Sequence, residues 1–352
     1  MGKSVHGLNE ARLFTITDEI ATGRGAVTGI AVSPDGRVVS VTHHGDGSVS
    51  LIDTAAGLPR LTVTDVDEPL AVAMSGRRAY VSSVSDAYDE ILAFDTDSET
   101  IVATYPVAFS VTDLAVSADG RFGYVGRTGA DGADVAILDT ATGNKKTVTI
   151  PAATVGRVRV SRDGRRLFVA ANDTTTARLV VIDTGRARIV DTIEIGSPIR
   201  DIALSPDGAI AYVVSCGPDF GIALDVIETR NAAIHATYKI GEDACTVAQL
   251  TLSRDGERAY LVGDQHVTVL STATKDVLAT IVVGNAPSCA VESPDGERLY
   301  VADYAGTVTV LDVAAAGLPD GALTLDDELS APGAWGYSEL LLAEPTLAGT
   351  SR

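Results

Sequence analysis

A chain of 352 residues that is 45% hydrophobic, 21% charged and only 5% aromatic has the composition of a folded globular protein, not of a disordered segment. Acidic residues outnumber basic ones 47 to 27, for a formal net charge of -20, so neither nucleic acid nor an anionic membrane surface is an expected partner. No apolar run reaches the ~18 residues of a membrane span, and the opening MGKSVHGLNEAR has no apolar signal-peptide core, so a cytoplasmic protein is expected, or an exported one if Met1 is not the natural start.

In chain order, the first predicted element is the alternating segment Ala11–Thr17, which reads as a β-strand. A motif then recurs seven times: Ser33-Pro-Asp-Gly36, Ser75-Gly76, Ser117-Ala-Asp-Gly120, Ser161-Arg-Asp-Gly164, Ser205-Pro-Asp-Gly208, Ser253-Arg-Asp-Gly256 and Ser293-Pro-Asp-Gly296. The glycines are 40, 44, 44, 44, 48 and 40 residues apart. Pro presets φ, Asp bonds nearby backbone and Gly takes a positive φ, so each copy is a tight turn. An aromatic residue follows four positions after six of the glycines (Tyr80, Tyr124, Phe168, Tyr212, Tyr260, Tyr300), and Ser40 takes that place in the first copy. A second apolar segment ending in an acid comes next, as in Val49–Asp53 or Leu179–Asp183. Short β-branched segments at this spacing predict four antiparallel strands, A to D, per repeat. Seven such repeats make a seven-bladed all-β propeller with almost no helix.

The S-P-D-G-x-x-x-Y-V pattern followed by V-x-V-I-D-T resembles the YVTN repeat of YncE-like seven-bladed propellers. Tyr300-Val-Ala-Asp303 and Phe168-Val-Ala-Ala-Asn172 come near that signature. The resemblance covers about residues 11–313, and the Arg-rich, Lys-poor composition (22 against 5) suggests an actinobacterial or mycobacterial member. WD40 repeats are not expected, because no Gly-His…Trp-Asp pattern occurs and the single Trp335 lies outside the repeats. The resemblance implies a non-enzymatic scaffold that binds a small molecule, a small anion or a protein at the channel mouth. Similar propellers include sugar lactonases, so a lactonase-like hydrolase using channel-mouth carboxylates and arginines is the alternative. A cofactor-bearing dehydrogenase is disfavoured by scarce aromatics and the absence of C-x-x-C-H; no cofactor is expected.

Residues 1–313 are predicted to form the propeller, with 11–17 supplying the outer strand of blade 7 and 314–352 forming a C-terminal extension. The rival closing element is Ser338–Glu344. The B–C loops vary most, so a site is expected on their face. Each carries an acid (Asp46, Asp86 with Asp89, Asp131, Asp173, Asp219, Asp264, Asp303), which predicts either an acidic rim or ordinary loop chemistry. On strand A, the residues seven before the motif glycine are Gly29, Asp113, Arg157, Asp201, Gln249 and Cys289, with Ala71 in blade 2. Two places on stand small residues (Ala31, Ala73, Ala115, Ala203), but blade 4 has Arg159. Arg157, Arg159 and Arg200 are therefore the candidate ligand contacts, set against an internal salt-bridge arrangement with Asp113 and Asp201. His43, His44 and Asp46 are weak metal candidates, since adjacent strand residues point to opposite faces. Cys216, Cys245 and Cys289 give no disulfide framework or metal spacing. No nucleophile is paired with a base by any recognisable motif, and a monomer is expected.

Overall fold

The repeat begins with hydrogen bonds inside its Ser-x-Asp-Gly turn. In blade 1 the Ser33 hydroxyl donates to Asp35 Oδ1 (2.6 Å) and accepts the Val38 N–H (3.0 Å). The same carboxylate accepts the Arg37 N–H at 3.1 Å, and Gly36 adopts φ +74°. The arrangement recurs at Ser117/Asp119, Ser161/Asp163, Ser205/Asp207, Ser253/Asp255 and Ser293/Asp295. Blade 2 has no Asp in its shortened turn, and there Ser75 donates across to the Ala118 carbonyl of blade 3 at 2.9 Å.

The acid ending strand C builds a second turn. Asp53 Oδ1 accepts the N–H groups of Ala55 and Ala56, and Asp95 and Asp139 repeat the pattern. The Thr that follows reaches back to the A–B turn of its own blade. Thr54, Thr140, Thr184 and Thr229 donate to the carbonyls of Gly36, Gly120, Gly164 and Gly208 at 2.6–2.7 Å. The threonine is therefore a clasp between the two turns of these blades, repeated by Thr272 on Gly256 O in blade 6, whereas blade 7 has Val313 in its place.

The computed structural model describes residues 5–6, 13–108, 110–130, 132–174, 176–217, 221–241 and 247–314. Within them lie seven antiparallel sheets, five of them built from four strands consecutive in the chain. Blade 1 is Gly29–Val32, Val38–His43, Ser48–Asp53 and Leu58–Val63; blade 4 is Thr154–Val160, Arg166–Asn172, Ala177–Asp183 and Arg188–Ile195. The one described helical element is a single 3-10 turn, His44–Asp46. The all-β seven-bladed fold expected from the repeat is thus the observed one.

Blade 7 has strands Pro287–Glu292, Arg298–Asp303 and Thr307–Val313 from its own repeat, and its outer strand is Phe14–Ala21. Pairing runs from Phe14 opposite Val313 to Ala21 opposite Thr307. The strand therefore begins at Phe14, where Phe14 is buried against Tyr260 with ring centroids 6.2 Å apart, and runs to Ala21. Residues 11 and 12 of the expected 11–17 strand lie outside the described residues, as do Ser338–Glu344 and the whole of 315–352. Blade 6 carries a fifth strand, Val5–His6, beside its outer strand Val277–Ile281, which the sequence did not announce.

The core is divided among seven apolar clusters, one between each pair of neighbouring blades. One joins Ile20, Val27 and Val39 near blade 1 to Tyr300 and Val308 of blade 7, so the ring has no unfilled seam. Repeat aromatics lie in these wedges, and their hydroxyls bridge blades: Tyr80 donates to Gly120 O at 3.2 Å and Tyr124 to Gly164 O at 3.4 Å. Ser40 stands at the same position but is too short to cross, and its buried hydroxyl has no partner among the described residues.

Candidate functional site

Strand A lines the central channel, and its residues are set by bulges. Register shifts fall between Val111 and Asp113, Val155 and Val158, Ile199 and Asp201, and Pro287 and Cys289. A bulge re-aims side chains that simple alternation would send elsewhere. In blade 4 both Arg157 and Arg159 line the channel. In blade 5 Arg200 is exposed and outside the channel lining, so the structure does not bring Arg200 to the other candidates.

The channel holds a cavity of about 610 Å³ lined by strand-A residues of all seven blades. Its wall is two-sided. Asp113, Arg157, Arg159, Asp201 and Gln249 make one polar arc, whereas Gly29, Ala71 and Cys289 occupy the equivalent positions elsewhere. The acids and the glutamine tie each blade to the next through backbone. Asp113 Oδ2 accepts the Val158 N–H at 2.9 Å, Asp201 Oδ2 the Leu250 N–H at 2.9 Å, and Gln249 Oε1 the Ala290 N–H at 2.6 Å.

Arg159 bridges two of these carboxylates. Its two terminal nitrogens donate to Asp113 Oδ2 and Asp201 Oδ1, each at 2.7 Å, and one also donates to Val158 O at 2.8 Å. Burial works against its charge, but the Asp201 and Asp113 carboxylates hold its pKa above the ordinary arginine value. Arg159 is therefore a clamp across blades 3, 4 and 5, the internal salt-bridge arrangement set against a ligand contact. Arg157 differs. Its Nε is 3.7 Å from Asp201 Oδ1, one terminal nitrogen donates to Ala248 O at 3.2 Å, and a third of the side chain remains exposed (33%).

The metal candidates are not assembled. His43 is fully buried, with Nδ1 2.9 Å from Gly25 O and Nε2 3.1 Å from Ser50 Oγ. Burial pushes its pKa below the usual value, which favours neutral imidazole. Asp46 instead accepts from Ser48 (2.7 Å) and lies 3.4 Å from Arg24. No group of three potential ligands occurs among the described residues.

The acidic loop residues are mostly loop architecture. Asp89 accepts the N–H groups of Ser85 and Val111, Asp173 that of Ala153, and Asp303 those of Ala305 and Thr307. Asp131 and Asp219 lie outside the described residues. Cys289 is a free, buried thiol pushed up to about 12 by burial, which makes it a poor nucleophile. Cys216 is disulfide-bonded, although three cysteines give no disulfide framework in the sequence, and Cys245 lies outside the described residues.

The comparisons bear on family and fold. The chain is 44% identical over 326 residues to "Seven-bladed beta-propeller protein Rv1057" of Mycobacterium tuberculosis (strain ATCC 25618 / H37Rv), covering 83% of each chain. The chain belongs to this seven-bladed β-propeller family. The propeller is also similar to a solved chain of Kuenenia stuttgartiensis hydrazine synthase, with a TM-score of 0.75 and 20% identity over 84% of this chain and 97% of that one. At that identity the likeness is one of fold alone. The family description "WD domain, G-beta repeat" matches residues 17–53. That stretch, centred on the first blade, holds neither a Gly-His nor a Trp-Asp pair.

Proposed function

We propose that this propeller is a non-catalytic binding protein of the YncE-like kind, taking a small carboxylate-bearing molecule in its channel. The observation that carries the proposal is the division of labour between two arginines on one strand. Arg159 is committed to Asp113 and Asp201, whereas Arg157 lines a cavity of about 610 Å³ with a third of its side chain exposed (33%). That volume suits a small ligand. A guanidinium grips a carboxylate through two parallel hydrogen bonds, and the small, apolar opposite arc of Gly29, Ala71 and Cys289 suits an uncharged ligand body.

The lactonase-like alternative needs a carboxylate poised as general base. Asp113 and Asp201 are engaged by backbone N–H groups and by Arg159, and no specific observation favours the hydrolytic reading. We further propose a monomer that leaves nucleic acid unbound, on the basis of its net charge. A disulfide at Cys216 is chemistry of an oxidising compartment and favours export over a cytoplasmic location.

Calorimetric titration with citrate, gluconate, benzoate and octanoate tests the site. At least one should bind the parent, and Arg157→Gln should weaken it by about tenfold, the cost of one charge-assisted hydrogen-bonded pair. Absence of binding by the whole panel would overturn the proposal. So would unchanged affinity in a folded Arg157→Gln protein.

A further inference from the structure

A second cavity, of about 1210 Å³, opens between blades 4 and 5 at the A–B and C–D turns, so it is distinct from the channel. Four arginines line it: Arg162, Arg165 and Arg166 from blade 4 and Arg230 from blade 5. Such a cluster is unexpected in a chain with a net charge of -20. Two of the four depart from the repeat. Position 162 is Pro34, Ala118, Pro206, Arg254 or Pro294 in the other four-residue turns, and Arg254 is engaged with the Pro294 carbonyl. Position 230 is Ala55, Asp97, Ala141, Gly185 or Ala273 after the corresponding threonines.

The acids of the cleft are already engaged in their turns. Asp163 accepts from the Ser161 hydroxyl (2.6 Å) and the Arg165 N–H (3.0 Å), and Asp207 from the Ser205 hydroxyl (2.6 Å) and the Ala209 N–H (3.0 Å). Glu228 accepts from Asn231 Nδ2 at 2.7 Å. Arg166 donates to Thr229 O, and Arg165 is 86% exposed at 3.9 Å from Asp163, a distance too long for a strong pair. Arg162 and Arg230 are exposed and make no hydrogen bond or ion pair within the described residues.

We infer that this cleft is a phosphate site, formed by Arg162 and Arg230 with Arg165 at its rim, and that it binds a small molecule through a phosphate or phosphomonoester group. Guanidinium forks match the tetrahedral oxygens of phosphate, and two uncommitted forks from opposite walls suit a dianion better than a monocarboxylate. The remaining wall is polar turn backbone, with the Phe168 ring beneath it.

The probes are inorganic phosphate and glycerol 3-phosphate, titrated calorimetrically at constant ionic strength with chloride as the control. Both should bind the parent and the Arg157→Gln protein alike, because the channel is a separate site. The double variant Arg162→Ala/Arg230→Ala should lose about tenfold in affinity per guanidinium removed. Both positions are exposed, so the variant should keep the parent's melting temperature in chloride. Failure of both phosphates to bind the parent, or unchanged affinity in the double variant, would overturn the inference. Loss of phosphate binding in Arg157→Gln instead would assign the phosphate to the channel and equally overturn it.

Discussion

Arg157 and Arg159 are two residues apart and chemically identical, yet the neighbouring acids give them opposite roles. Arg159 joins two carboxylates, one of them on a fully buried aspartate, so its removal leaves Asp201 with only the longer 3.7 Å contact to Arg157 as counter-charge. Arg159→Ala should cost ~3 kcal/mol of stability in urea unfolding. An Arg157→Ala change should cost much less, because its ion-pair distance is long and it is partly solvated. Equal losses for the two variants would contradict this division. The pairing could not be decided from sequence because the partners are 46 and 42 residues away, in neighbouring blades. Arg200 directly precedes the channel position Asp201, and it is exposed outside the lining.

The elements were far more legible, since the turn chemistry is local. Gly with positive φ and Asp bonding its own backbone are encoded within four residues, and they occur at the positions the repeat indicated. Less legible were the serine that closes each turn and the threonine that clasps two turns together. The motif displays both residues, but the threonine acts through a partner about 20 residues earlier in its own blade. The turns also set an acid response. The Ser117 hydroxyl, helped by the Arg121 N–H, holds the Asp119 carboxyl below the usual 3.8, and serine does the same for Asp35, Asp163, Asp207 and Asp295. A depressed folded pKa means stability that is fully present above the unfolded value and lost as pH falls through the folded one. The stability gap between the parent and Asp119→Asn should therefore be constant above about pH 5 and shrink below pH 3.8. A gap that widens on acidification would contradict the assignment.

At the scale of the molecule, six Ser-x-Asp-Gly turns and one shortened turn produce a ring in which the repeat is broken locally. Blades 3 to 6 supply charged or amide side chains to the channel, whereas blades 7, 1 and 2 supply Cys289, Gly29 and Ala71. Blades 4 and 5 alone gather arginines on the turn face cavity. The number of blades followed from the count of motifs, and blade 7 completes its sheet with Phe14–Ala21 from the other end of the propeller. The central claim is that the channel, and Arg157 within it, is where a carboxylate ligand sits. Hydrogen-exchange mass spectrometry of the propeller with and without the tightest-binding carboxylate of the panel tests it most directly. The account predicts added protection along strand A around Arg157, Leu250 and Ala290, with the outer strands and B–C loop tips unchanged. Protection confined to the loop tips or the blade edges, with strand A unaffected, would contradict it.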